Sequence, residues 1–156
     1  MSTTKNVFIS HHGKDDDHIQ KLKNLLSPKG YNLKNYSVDS SKPNNANNEQ
    51  YIKSQLRSLI NKSGTMIVLI GKETHNRDYV NWEIEQANKQ GKRIVGVHIN
   101  GEGEADIPEN FKDYGDALVG WTGDRIIDAL EGKINNWENP DGSQYTPSHH
   151  TPRSNC

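Results

Sequence analysis

Two runs of apolar residues, TMIVLIG at 65–71 and RIVGVHI at 93–99, limit the folds open to this chain. Neither alternates apolar with polar, so each reads as a strand covered on both faces, the situation of the inner strands of a parallel sheet. A helical pattern lies between them and others lie on either side. NVFIS at 6–10 is a short β-rich run, followed by a helix carrying Ile19, Leu22, Leu25 and Leu26 and stopped near Pro28 and Gly30. YNLKNYSVD at 31–39 alternates at period two and reads as a half-covered strand nearer an edge. SSKPNNANN at 40–48 is a loop by composition, and a helix with Ile52, Leu56, Leu59 and Ile60 follows. After an acidic, glycine-containing loop at 100–110, ALVGW at 117–121 reads as a short last strand, and Ile126, Ile127, Leu130 and Ile134 mark a final helix. Strand and helix alternating about five times predict an α/β, doubly wound, mainly parallel five-stranded sheet flanked by helices. One domain is expected over 1–137. The aperiodic residues 138–156 are expected to form a flexible tail, in which His149 and His150 are tail composition and not ligands.

The bulk chemistry excludes several classes of function. A formal net charge of −1 gives no electrostatic reason to expect nucleic acid or an anionic membrane as partner. The one cysteine, Cys156, leaves no internal disulfide and no cysteine zinc site. No apolar run nears the roughly 20 residues of a membrane helix, and MSTTKNVFIS lacks a signal-peptide pattern, so a cytoplasmic protein is expected. Phosphate-loop, dinucleotide and nucleophile-elbow signatures are absent. A response-regulator receiver would need an acidic residue ending the third strand, where this chain has Gly71.

In doubly wound sheets ligands bind outside the carboxyl ends of the strands, where the order of connections reverses. That rim would gather residues 10–15, 39–48 and 71–83. Within it, HNRDYVNWEIEQANKQG at 75–91 is helical, with Val80, Ile84 and Ala87 forming one apolar stripe and Gly91 a C-cap. At about 100° per residue, Glu83 lies within roughly 50° of the stripe's centre and Glu85 well round on the other side. Glu85 is then an ordinary solvated charge. An inward Glu83 must find partners, shift its pKa or border a cavity. Ser10, His11 and His12 leave a buried strand at the same rim and suit substrate binding. Read as a metal site with Asp15, Asp16 and Asp17, the two histidines fit less well, because adjacent residues seldom point to one ion and the carboxylates suit the start of the next helix. No metal is expected. Asp39 either holds a ribose hydroxyl or opens the turn into the serine-rich loop. Tyr79 and Trp82, flanking Glu83, either stack on a flat ring or pack the helix.

Two stretches, NVFISHHGKDDDHI and MIVLIGKETHNRDYVNWEIEQANKQGKRIVGVHING, closely resemble the TIR-like family of bacterial Thoeris antiphage systems. The first matches the TIR pattern of a hydrophobic strand ending F-I-S. The second matches a run of apolar strand, I-G, Thr, Asn-Arg, aromatic-Val and, two residues on, Glu-Ile. The resemblance covers roughly residues 5–135 and implies a flavodoxin-like (TIR) fold. It places Glu83 on the glutamate that enzymatic TIR domains use, and Ser10 and His12 in the motif that forms part of the nucleotide pocket. VDSSKPNNANN departs from the family's second-strand loop, so no residue there is carried over.

The activity implied is cleavage of NAD at the nicotinamide–ribose bond, as an NAD glycohydrolase or ADP-ribosyl cyclase-type hydrolase. NAD is the substrate and no cofactor is needed. The retained ADP-ribose, cyclised or conjugated, would activate a separate effector protein, and assembly into a homo-oligomer could accompany activation. The alternatives are a non-enzymatic TIR scaffold and a sensor that binds NAD or ADP-ribose without turnover.

Overall fold

The computed structural model describes residues 3–12, 17–37, 49–72, 74, 78–99, 107–140 and 143. Five strands, β1 (Thr3–Ser10), β2 (Tyr31–Asn35), β3 (Thr65–Ile70), β4 (Arg93–His98) and β5 (Ala117–Val119), form one sheet. Among the described residues five α-helices accompany them, α1 (Asp17–Leu26), α2 (Glu49–Lys62), α3 (Asp78–Lys89), α4 (Glu109–Tyr114) and α5 (Gly123–Leu130), with a 3-10 turn at Ser27–Lys29. The strand order is β2-β1-β3-β4-β5, and every pairing is parallel. This is the flavodoxin-like order, whose connections reverse between β1 and β3. β2 is the edge strand that its alternation predicts, ending at Asn35, earlier than the residue-39 limit read from the sequence. No described helix is long and apolar enough to cross a membrane.

Period-two alternation divides the core into two layers. Val7, Ile9, Ile67, Leu69, Val95 and Val97 pack on α1 and α5. Phe8, Met66, Val68, Ile70 and Ile94 pack on α2, α3 and α4 through Leu56, Ile60, Val80, Ile84 and Phe111. All six residues of β3 are buried, as its uninterrupted apolar run requires. Ser10 follows Phe8 at period two and therefore faces the α3 side. That parity fixes its place in the site.

α3 stops as expected at Gly91, whose φ of 71° is open to glycine at no steric cost. Lys92 N–H reaches Ala87 O at 2.9 Å and Gly91 N–H reaches Asn88 O at 3.1 Å, the paired bonds of a Schellman cap.

Gly96 in β4 has a different reason. A Cβ there would lie 2.7 Å from Phe111 Cζ and 2.8 Å from Leu118 Cδ1, inside the α4 layer. Gly96→Ala is therefore expected to cost about 1–3 kcal/mol by overpacking. Thermal unfolding should show it as a loss of about 3–10 °C, and an unchanged midpoint would mean that Phe111 yields freely.

Two regions differ from the sequence reading. Residues 109–114, of which the sequence reading gives 109–110 to a loop and the rest to no element, form α4, anchored by buried Phe111 and by Asn110, whose N–H donates to Asn81 Oδ1 at 2.9 Å. The second lies at residues 136–140, which rest against the sheet. Leu118 N–H donates to Asn136 O at 3.1 Å, and Glu138 N–H donates to Leu118 O at 2.7 Å. Trp137 stacks at a tilt on Phe111 with centroids 5.1 Å apart, and Glu138 is 3% exposed and paired with Arg125. Backbone pairing with β5 holds residues 136–138, and Pro140 lies against Gly120. His149 and His150 lie outside the described residues.

Candidate active site

The switch point between β1 and β3 gathers three pieces of chain. β1 pairs with β3 up to Ser10, opposite Val68. On its other side β2 has ended, and the side chain of Asn35 replaces the missing strand. Asn35 Oδ1 accepts the Ile9 N–H at 3.1 Å and the Ser37 N–H at 2.9 Å, so β1 keeps its extended course beyond its neighbour. Beyond β3, fully buried Thr74 closes the turn. Its Oγ1 accepts from Gly71 N–H at 2.8 Å and donates to Leu69 O at 3.2 Å. Neither Asn35 nor Thr74 was given a role by sequence reasoning. The only local signals were a polar residue at a strand end and a threonine three residues after a strand-ending glycine.

Glu83, on the second turn of α3, reaches this point. Val80, Ile84 and Ala87 bury the helix against the sheet, and Glu83 beside them is half-buried. Ser10 Oγ donates to Glu83 Oε1 at 2.7 Å across 73 residues of sequence. Burial pushes the Glu83 carboxyl up from its ordinary 4.5 to about 7, against the Ser10 hydrogen bond and the positive field of His11, both of which favour the carboxylate. Glu85 is also half-buried, less solvated than its helical angle predicts, but has no bond to the rim among the described residues.

His11 and His12 are half-buried at the end of β1. His11 Nδ1 lies 2.9 Å from Ile9 O, a hydrogen bond in the Nδ1-protonated tautomer, which aligns the residue after Ser10 with the strand. Tyr79 sits one turn before Glu83, and its ring meets Trp82 edge-to-face at 6.4 Å. Trp82 turns toward α2, with Lys53 Nζ 5.3 Å and the Arg57 guanidinium 5.4 Å from its ring centre. Its ring contacts among the described residues are thus with helices, not with the Ser10–Glu83 pair. Asp39 lies outside the described residues. Among those described, no group of three or more His, Cys, Asp or Glu side chains could hold a metal ion.

A doubly wound domain of flavodoxin-like order, with a desolvated carboxyl group at its switch point, is a fold of the TIR type carrying a candidate acid–base site. The chain belongs to the family described as "Thoeris protein ThsB, TIR-like domain", which matches residues 8–104.

A curated relative from Bacillus cereus (strain MSX-D12), named "Putative cyclic ADP-D-ribose synthase ThsB1", is 42% identical over 41 residues. That stretch is 26% of this chain and 21% of the relative, so about a fifth of the relative's length is matched. Among solved structures, a 2-deoxyribosyltransferase from Bacillus psychrosaccharolyticus superposes with a TM-score of 0.54 at 14% identity, over 90% of this chain and 99% of that one. That likeness is one of fold. The TIR domains of the activated Roq1 resistosome align with a TM-score of 0.44 at 20% identity, over 62% of this chain and 58% of that one.

Proposed function

We propose that this chain is an NAD-cleaving enzyme of antiphage defence. It breaks the nicotinamide–ribose bond and retains the ADP-ribose in a signal molecule, cyclic or conjugated, that activates a separate effector. The observation that carries this reading is Glu83, a half-buried carboxyl group at the β1–β3 switch point whose Oε1 is held by Ser10. Family membership and the relative's name as a cyclic ADP-D-ribose synthase support the choice of substrate.

The chemistry asks little more of the protein. As the C1′–N bond of NAD breaks, nicotinamide leaves with the electron pair as a neutral amide, and positive charge develops on the ribose. A preorganised carboxylate beside the ribose stabilises that charge as it forms. Burial holds Glu83 near pKa 7 in the free protein, and the cationic nicotinamide ring of a bound NAD favours its ionised form. No strong general acid is required. A hydroxyl then captures C1′ and releases its proton. Exclusion of water decides whether that hydroxyl belongs to the ADP-ribose, another acceptor or solvent.

The test is mass spectrometry of products after incubation of the purified protein with NAD, alone and in lysate from phage-infected cells, beside Glu83→Gln. The expected result is nicotinamide from the wild type and none above background from the variant. The companion ADP-ribose species identifies cyclisation, conjugation or hydrolysis. Silence of the wild type in both settings would overturn the enzymatic reading in favour of a scaffold or sensor.

A further inference from the structure

We propose that Ser10 is a positioning residue: its hydroxyl occupies Oε1 of Glu83, so that the carboxylate presents Oε2 alone to the substrate. This rests on the reading of Glu83 as the catalytic group, and it gives Ser10 a role other than contact with the nucleotide.

Three observations carry it. First, Ser10 is 1% exposed, so its side chain has almost no surface to offer a ligand. Second, its direction is set by the fold. Strand parity points it to the α3 side, pairing with Val68 fixes its register, and Asn35 holds the Ile9 N–H next to it. A donor placed by that much backbone costs little to keep in position. Third, the 2.7 Å bond to Oε1 is the hydrogen bond Glu83 makes among the described residues, and no described side chain takes Oε2.

A carboxylate can rotate about its last torsion and exchange its oxygens. One buried donor on Oε1 stops that rotation. It also stabilises the ionised group selectively, because a protonated oxygen gains little from an incoming O–H. Of the charged groups on the surrounding elements, His11 at the end of β1 acts on Glu83 and it too favours the carboxylate, and His12 beside it is half-buried at the same strand end. Lys53 and Arg57 of α2 lie over Trp82, Lys112 of α4 pairs with Glu109, His98 of β4 meets the Glu138 carbonyl, and Lys72 beyond β3 is exposed. On α3 itself, Asp78 is exposed and Glu85 lies off this face.

The experiment compares Ser10→Ala and Ser10→Thr with wild type in steady-state NAD cleavage across pH. It adds a carbon-13 NMR titration of the Glu83 carboxyl in the full chain. Ser10→Ala should lower kcat about 10- to 100-fold, the loss of one charge-assisted hydrogen bond. KM should stay within about threefold, and the acidic limb and the titration midpoint of Glu83 should both move up by about one pH unit. Ser10→Thr keeps the hydroxyl and should recover most of kcat. Should its added methyl prevent folding, the titration of Ser10→Ala decides alone.

A raised KM at unchanged kcat, with an unmoved Glu83 midpoint, would make Ser10 a nucleotide contact and overturn the proposal. Failure of the underlying reading looks different. In that case Glu83→Gln retains activity, while the titration still reports whether Ser10 governs the carboxyl group.

Discussion

On the function proposed above, Glu83→Gln is expected to lower NAD cleavage by at least about 10²–10³-fold and, in the same protein, to raise stability at pH 8. The two effects have one origin. The folded protein holds this carboxyl group near pKa 7, against an ordinary 4.5. Between those values the folded chain keeps a proton that the unfolded chain has released. Stability therefore falls as pH rises through that window, and the deficit is complete above about pH 7 and absent below about 4.5. At about 1.4 kcal/mol per pH unit, the ceiling is about 3 kcal/mol. Because Glu83 is half-buried and keeps some contact with solvent, about 1–3 kcal/mol is the expected range. Glutamine carries no charge to desolvate, and its amide oxygen can still accept from Ser10.

Thermal unfolding should place the variant about 3–8 °C above wild type at pH 8 and level with it near pH 4.5. Equal midpoints at both pH values would mean that the carboxyl group is not desolvated, and the electrostatic account of the site would go with it. An inactive variant that is also more stable would be hard to explain as a damaged fold. It fits a protein that tolerates strain at its working group.

The parts of this molecule that the sequence discloses are those written in local periodicity. TMIVLIG can be buried on both faces only inside a sheet, and β3 is buried at every position. The stripe of Val80, Ile84 and Ala87 gives α3 its orientation and, with it, the inward turn of Glu83. Ser10 is legible as the end of a strand. Its bond to Glu83 is not, since nothing local links residues 73 apart. Trp82 illustrates the limit from the other side. Helical spacing puts it next to Glu83 in sequence, but 100° of rotation carries its ring to α2 and to Lys53 and Arg57. Glu85 is half-buried for a reason the helical wheel cannot hold, because neighbouring elements shade both sides of a helix. α4 escapes notice because six residues with one buried anchor, Phe111, make too short a stripe to show a period.

The docked C-terminal segment was illegible for a stronger reason, and it leads to the second large effect, expected from Arg125→Ala. Residues 136–140 hold almost no aliphatic side chain. They are held by backbone pairing to β5, by Trp137 on Phe111, and by the one buried side chain among them, a carboxylate that composition alone would leave in water. Glu138 has a side chain only 4% exposed, with Oε2 paired to the half-exposed guanidinium of Arg125, while Oε1 is buried without a partner among the described residues. Close approach depends also on Gly120, where a Cβ would lie 2.5 Å from Pro140 O.

Truncating Arg125 leaves a buried charge uncompensated. For a fully buried pair the cost is about 3–5 kcal/mol, and the exposure of Arg125 reduces it to about 2–3. The chain can limit that cost by releasing the segment, since detached residues return Glu138 to water. The free energy of undocking therefore caps the global loss. Two signatures distinguish the outcomes. A midpoint about 4–10 °C lower with the Glu138 amide still protected from hydrogen exchange means that the segment stays and the whole domain bears the charge. A smaller loss with that amide exchanging fast and Trp137 fluorescence moving to the red means that 136–140 has let go. Arg125→Ala combined with Glu138→Gln should recover most of either loss, because it is the charge and not the contact that is costly. A variant with unchanged midpoint and unchanged exchange at Glu138 would show that Arg125 contributes nothing to holding the segment, and that backbone pairing with β5 suffices.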